Sequence, residues 1–283
     1  MIVITGATGT IGSEVVRQLA ERGVKVRAVT RNPEAARLPE GVEVVRGDYL
    51  DPESMAAAFD GAQAAFLVGQ VSIETSDTDT ALIAAARDAG VPRLVKLSAI
   101  GTGDTLLGPF TTWHMPGEKA ISESGAAWTI LRPSSFASNT LSWAAPIKAG
   151  QPVPNMTGTG AQGVVDPRDV AAVAVEALLS DEHAGRIYEP TGPQAISVPE
   201  QAAILSEALG RPLEVSEIPL DQVRAAMVAA GRTEGFAERA SAGNRFVRNG
   251  GNSTVTRDVE RVTGRAPRTY ADWVRDHLAA FTA

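Results

Sequence analysis

The sequence predicts a doubly wound α/β fold, a parallel sheet with helices on both faces, followed by a smaller, mostly helical C-terminal lobe. Three observations carry this expectation. Short apolar runs alternate with amphipathic stretches through roughly the first hundred residues, with short connections between them. The first run, Ile2–Thr5, leads straight into a turn with glycine at 6, 9 and 12. Beyond Leu131 the alternation stops, and residues 134–165 hold three prolines and several glycines. The boundary therefore falls after residue 133. Residues 1–133 form the first domain and 134–283 the lobe, with segments of the lobe returning to the first sheet.

The elements follow in order. Ile11, Val15, Val16 and Leu19 recur at helical spacing up to Gly23. Lys25–Thr30 and Val42–Val45 read as the second and third strands. Asp51 caps a helix that has Pro52 in its first turn. Ala64–Val68 is the fourth strand, a helix runs from Asp77 to Ala89, and Arg93–Leu97 is the fifth strand. A helix over Gly117–Ser124 and a sixth strand at Trp128–Leu131 complete the first unit. Later, Asp166 caps a helix to Leu179, and Ser197-Val-Pro-Glu200 has capping-box spacing ahead of a helix to Leu209. The tail is mostly helical, over Asp221–Ala230, Phe236–Val247, Arg257–Val262 and Tyr270–Phe281.

Composition excludes several classes of function. The net charge of −7, with acids and bases mixed along the chain, argues against a nucleic-acid or anionic-membrane surface. With no cysteine there is no disulfide, thiolate metal site or cysteine nucleophile. The three histidines, His114, His183 and His277, are far apart in sequence, so no metal site is expected. His277 falls inside the last helix and reads as a packing or surface residue. No apolar run reaches the roughly eighteen residues a membrane span needs, and no charged leader precedes the first strand, so a cytoplasmic protein is expected.

The glycine turn meets three physical demands. The first glycine turns the chain sharply off the strand, the second lets backbone approach a pyrophosphate, and the third lets the helix pack close to the sheet. The helix N-terminus then offers free N–H groups and a partial positive charge to phosphate. Gly6, Thr8, Gly9, Thr10, Ile11 and Gly12 are thus the expected dinucleotide cradle of a Rossmann-type sheet. The second strand ends VRAVTRNP, with Arg31 where an NAD-specific site carries an acid. A guanidinium there attracts the 2′-phosphate of NADP, so NADPH is the expected cofactor; the plainer account is a surface arginine. At the fourth strand's end, Val68, Gly69 and Gln70 are cofactor candidates, Gly69 allowing close approach of the ribose. Ser98 and Ala99 end the fifth strand at the carboxyl edge, where open α/β sheets bind ligands.

The spacing G-x-x-G-x-x-G in ITGATGTIG resembles the short-chain dehydrogenase/reductase superfamily, in its extended and atypical members. That resemblance implies an adenine contact from Asp48 with its neighbour Tyr49, and places Pro133, Ser134 and Phe136 beside the nicotinamide. The superfamily's Tyr-x-x-x-Lys catalyst is absent, because none of Tyr49, Tyr188 and Tyr270 has lysine four residues on. His114 and Glu118 of HMPGEKAI occupy the two slots. With WTILRPSSFASN, VVDPRDVAAVA, RIYEPTGPQAIS and TGRAPRTYADWVRD, this is similar to the NmrA-like branch of atypical reductases over nearly the whole chain.

His114, Glu118 and Ser98 are the catalytic candidates. An ordinary histidine titrates near about 6.5 and can donate a proton at neutrality. Pro116 prefers a helix's first turn, which puts His114 just before the helix, so catalysis, ligand contact and a structural role all stay open for it. Glu118 in that first turn also suits the helix dipole. Trp113, Met115, Phe136, Asn139, Trp143 and Phe236 are candidates to line a pocket for an aromatic, quinone-like acceptor. Asp166, Arg168 and Asp169 read as a buried polar joint between the lobes, and residues 235–251 as a cover over the pocket. Such an acceptor takes hydride with little help, so positioning carries the catalysis. The resemblance also admits a non-catalytic NADP-binding redox sensor acting through a protein partner, and, last, a nucleotide-sugar epimerase. A homodimer is left open.

Overall fold

The computed structural model describes residues 1–69, 77–104 and 113–282. Its first half alternates strand and helix: β1 (Ile2–Ile4), α1 (Thr10–Glu21), β2 (Val26–Thr30), β3 (Glu43–Arg46), α2 (Pro52–Phe59), β4 (Ala64–Leu67), α3 (Asp77–Asp88), β5 (Arg93–Leu97), α4 (Met115–Ser122) and β6 (Ala127–Leu131). A 3₁₀ stretch at Ala137–Trp143 leads to α5 (Ala144–Lys148), β7 (Val153–Asn155) and β8 (Ala161–Gln162). The chain continues through α6 (Pro167–Leu179), β9 (Arg186–Tyr188), β10 (Ile196–Ser197), α7 (Val198–Leu209) and β11 (Val215–Glu217). It ends with α8 (Leu220–Ala229), α9 (Glu234–Arg248), α10 (Asp258–Thr263) and α11 (Tyr270–His277).

Seven strands form one sheet in the order β3-β2-β1-β4-β5-β6-β9, every neighbour parallel. The strand order reverses between β1 and β4, the switch point where such sheets bind ligands. Because side chains alternate along a strand, each strand feeds two cores. Ile2, Ile4 and Val95 pack with α1 and α6 on one face, while Val3, Leu67 and Leu94 pack with α2 and α3 on the other. Two segments beyond residue 134 belong to this layer: α6 lies beside α1, and β9 extends the sheet from β6. The strand β9 did not register as one in the sequence. It has three residues and two of them are exposed, so no alternation shows.

The expected caps are in place. Asp51 and Asp166 accept backbone N–H groups at the starts of α2 and α6, and Ser197 with Glu200 forms a capping box. Helix α4 begins two residues earlier than expected, at Met115, with Pro116 in its first turn and His114 as the capping residue. The last helix ends as α-helix at His277 and continues as a 3₁₀ turn over Leu278–Ala280.

A third core holds the lobe together around Trp273, with Tyr270, Val274, Phe281, Ile147 and Leu205. Trp143 sits in this core, 9% exposed, which corrects its expected place along a substrate pocket. Its ring satisfies the lobe's need for apolar volume where the 3₁₀ stretch meets α5. His277 stacks on Trp273 with centroids 4.4 Å apart and is a packing residue, as expected. The joint between the layers is ionic. Arg168 on α6 spans Asp166 and Asp276, and Asp169 accepts from the backbone and the guanidinium of Arg268. Among the described residues no helix is long and apolar enough to cross a membrane. Truncating the fully buried Trp273 to alanine removes the centre of the lobe's core and lowers stability by about 3–5 kcal/mol, read from urea unfolding.

Candidate active site

The glycine turn is built as its spacing requires. Gly6 has a φ of +59°, a left-handed conformation that L side chains rarely adopt. A Cβ at residue 12 would stand 2.2 Å from the Gly6 carbonyl oxygen, so only glycine lets α1 start this close to the end of β1. Gly9 caps α1 in extended backbone, with no side-chain cap and no acid in the first turn. The N–H groups of Thr10, Ile11 and Gly12 have no partner among the described residues. They are the orphan donors of a helix start. Ile11 keeps its side chain in the core, so the backbone around it is firmly held. A row of free N–H donors beside a bare glycine backbone fits a pyrophosphate.

Around this cradle, Thr5 ties the switch point. Its hydroxyl donates to the Phe66 carbonyl at 3.0 Å and accepts from the Val68 N–H at 2.8 Å. Tyr49 donates to the Val68 carbonyl at 2.7 Å, and burial pushes its phenol pKa up, so it stays protonated. Asp48 accepts from the Leu50 N–H at 3.0 Å, a turn contact that fixes the loop after β3. Arg31 stands exposed just past β2 and has no partner among the described residues.

Gly69 is required for a reason other than the one expected. A Cβ there would stand 2.4 Å from Asp79 Oδ1, so it is this carboxylate, and not only a ribose, that excludes a side chain. Gln70 lies outside the described residues.

At the carboxyl edges of β5 and β6, Ser98 and Glu118 are brought together. The buried Glu118 carboxylate accepts from Arg132 Nε at 2.9 Å and Nη2 at 2.5 Å, a two-pronged pair, and from the Ser98 hydroxyl at 2.5 Å. Ser98 Oγ also lies 3.3 Å from the Thr102 hydroxyl. Arg132 follows β6 directly, and its pairing with Glu118 holds α4 to the sheet. Position 118 therefore does not carry the ammonium that the superfamily has there.

Beneath α4 is a second pair that sequence reasoning missed. Lys96 is fully buried, with Nζ 2.5 Å from Asp79 Oδ2 and donating to the Leu97 carbonyl at 3.0 Å. The contact is an ion pair by distance, and neither Asp79 oxygen has a well-aligned hydrogen bond. The available signal was a lysine inside the apolar strand RLVKL, since a strand covered on both faces cannot hold a lone charge.

His114 is half-buried above this pair and its Nδ1 has no partner. Burial, and then the charge of Lys96, drive its pKa down to about 3. Trp113 stands beside it, ring centroids 6.5 Å apart, and Met115 is 41% exposed. Pro133 and Ser134 are buried, and the Ser134 hydroxyl donates to Asn252 Oδ1 at 3.3 Å. Phe136 is half-buried and bridges to Val165, while Asn139 is exposed and donates to Ser135 Oγ at 3.3 Å. Phe236 lies on α9 with the Arg232 guanidinium 5.2 Å over its ring. Ala99 follows Ser98 at the same sheet edge.

A parallel sheet with an uncapped, glycine-bound helix start at its switch point defines a dinucleotide-binding protein. The chain belongs to the NAD(P)H-binding family, whose profile matches residues 6–181, and this agrees with the resemblance to the NmrA-like atypical short-chain reductases. It is 42% identical over 286 residues to the (4-alkanoyl-5-oxo-2,5-dihydrofuran-3-yl)methyl phosphate reductase of Streptomyces griseus, covering 99% of each chain. It is 36% identical to the NAD(P)H azoreductase of Xenophilus azovorans, covering 100% of each. Among solved structures it superposes on the NADPH complex of an Escherichia coli NADPH-dependent quinone oxidoreductase. The TM-score is 0.84 at 26% identity, covering 99% of this chain and 100% of that one. The Citrobacter sp. triphenylmethane reductase complexed with NADP(H) gives the same TM-score of 0.84 at 26% identity, covering 98% of this chain and 99% of that one. The chain is an NAD(P)H-dependent oxidoreductase. These relatives, matched over the full chain, stand behind the enzyme reading and not the sensor or the epimerase.

Gly12→Ala forces α1 away from Gly6 and misaligns the free N–H groups. Affinity for NADPH falls by about tenfold or more, read by calorimetric titration, as expected when a close backbone approach to phosphate is lost.

Proposed function

We propose that the chain passes a hydride from NADPH to a planar, electron-poor acceptor such as a quinone or a related conjugated carbonyl, imine or azo compound. The observation that carries this is the state of the two slots where the superfamily keeps its acid. The Glu118 carboxyl is taken up by Arg132 and Ser98, and His114 is held neutral by burial and then by Lys96. Among the described residues neither slot holds a general acid, so the site suits acceptors whose reduced form takes a proton from water. The relatives named as azoreductase, dihydrofuranone phosphate reductase and quinone oxidoreductase support the same class, since each name describes a conjugated acceptor.

The bound cofactor supplies a hydride from C4 of its nicotinamide. The chain's own residues hold and orient. The free N–H groups of Thr10, Ile11 and Gly12 take the pyrophosphate, and Arg31 takes the 2′-phosphate that distinguishes NADPH. Asp48, Tyr49 and Val68 frame the adenosine side, and Gly69, Ser98 and Ala99 border the ribose and nicotinamide. Pro133, Ser134 and Phe136 complete the nicotinamide wall. The Ser98 hydroxyl donates its hydrogen bond to the Glu118 carboxylate, which fixes its orientation. Trp113, Met115, Asn139 and Phe236 offer flat or adaptable surface to the acceptor, and His114 offers a neutral hydrogen-bonding group.

A steady-state assay tests both halves. Turnover appears with NADPH and members of a panel of quinones, azo dyes and conjugated enones. No turnover across the panel, with NADPH binding intact, overturns the acceptor class. In Arg31→Ala the KM for NADPH rises about tenfold while that for NADH stays within about twofold, the loss of one charge-assisted phosphate contact. An equal effect on both cofactors removes Arg31 from the 2′-phosphate.

A further inference from the structure

Lys96 is buried more deeply than packing alone explains. Leu94, Lys96 and Ser98 follow one another on a single face of β5, the face covered by α3 and α4. The chain makes room there for one carboxylate with two glycines. A Cβ at Gly69, after β4, would meet Asp79 Oδ1 at 2.4 Å, and one at Gly117, in the first turn of α4, would meet Asp79 Oδ2 at 2.2 Å. The same Cβ at Gly117 would lie 2.6 Å from Lys96 Cε. His114 is three residues before Gly117, so it sits over the same pair one helical turn away. An apolar pair of equal volume would serve stability as well or better.

The charged groups around His114 among the described residues are already matched. Asp79 on α3 faces Lys96 on β5, and Glu118 on α4 faces Arg132 at the end of β6 and the Ser98 hydroxyl. His114 Nδ1 is buried without a partner. An imidazolium here would meet an ammonium and find no carboxylate left to offset it.

We propose that the Asp79–Lys96 pair is a positioning device for the reduction: with its Nδ1 buried and unpartnered, and the carboxylate beneath it taken by Lys96, His114 stays a neutral imidazole that orients the acceptor, and water supplies the proton. This rests on the reductase reading above. The hydride and its electron pair come from the reduced cofactor, which leaves oxidised. The acceptor anion so formed takes a proton from water, leaving hydroxide. His114 ends the turnover in the protonation state in which it began. Its low pKa agrees with this role.

Three histidines make the test direct. The imidazole carbon-bound protons are followed by NMR in the NADP-loaded chain, and the His114 signal is identified by its loss in His114→Gln. In the wild type it stays still from about pH 5 to about pH 8.5, where an ordinary histidine moves through its midpoint near about 6.5. In Lys96→Met the Asp79 carboxylate faces the imidazole without an ammonium, and His114 titrates with a midpoint above about pH 5. A wild-type midpoint between about 5.5 and about 7.5 overturns the neutral imidazole. An unmoved His114 signal in folded Lys96→Met overturns the part given to Lys96. Should Lys96→Met not fold, the wild-type pH–rate profile decides. Turnover with NADPH and a naphthoquinone shows no limb near about pH 6.5, and a limb that disappears in His114→Gln contradicts the proposal. The NMR titration needs no acceptor, so it stands or falls apart from the acceptor class.

Discussion

The approach of α1 to the end of β1 constrains everything around it. With a Cβ at residue 12 set 2.2 Å from the Gly6 carbonyl, the helix would have to withdraw from the turn. Because it does not withdraw, the N–H groups of Thr10, Ile11 and Gly12 open at the switch point between β1 and β4. The same approach brings Ile11, Val15, Val16 and Leu19 against the sheet, where α6 closes the layer beside them. The row of free N–H groups and the burial of one face of the sheet thus come from a single backbone contact. Thr5 extends it by tying β1 to the end of β4 with two hydrogen bonds through one hydroxyl.

On the other face, charge performs the positioning. Two ion pairs do this: Asp79–Lys96 ties α3 to β5, and Glu118–Arg132 docks α4 on the carboxyl edge of β6. Each brings together residues from different elements, so neither survives without the fold. They also decide what chemistry is open at the site. The glutamate in the slot of the superfamily's lysine is neutralised by a guanidinium, and the histidine in the tyrosine's slot is kept from becoming a cation. A site so arranged can hold and orient an acceptor while leaving proton supply to solvent, which matches acceptors that take hydride readily.

Much of this was legible in the sequence because the governing physics is local. Glycine at 6 and 12 is demanded by a backbone angle and a missing Cβ, and both act within a few residues. The caps at Asp51, Asp166 and Ser197 are equally local. The ion pairs were hidden because their partners come from different parts of the fold. Asp79 and Lys96 sit on α3 and β5, and nothing in either segment names the other. Glu118 suits a helix start for its own reasons, which masked its pairing with Arg132. Trp143 was assigned to a pocket because an aromatic on an irregular segment reads the same in a core as in a cleft, and only packing separates them. Glycine at 69 has a further constraint that its own segment does not name, the Asp79 carboxylate on the next helix.

The most direct measurement follows the transferred atom. The chain is supplied with NADPH carrying deuterium at both positions of nicotinamide C4 and with a conjugated enone, and the product is analysed by mass spectrometry. One deuterium bound to carbon in the product is the predicted result, because hydride transfer to carbon forms a bond that does not exchange with water. A reduced product without deuterium, or bound NADPH that never delivers it, would contradict hydride transfer at this site.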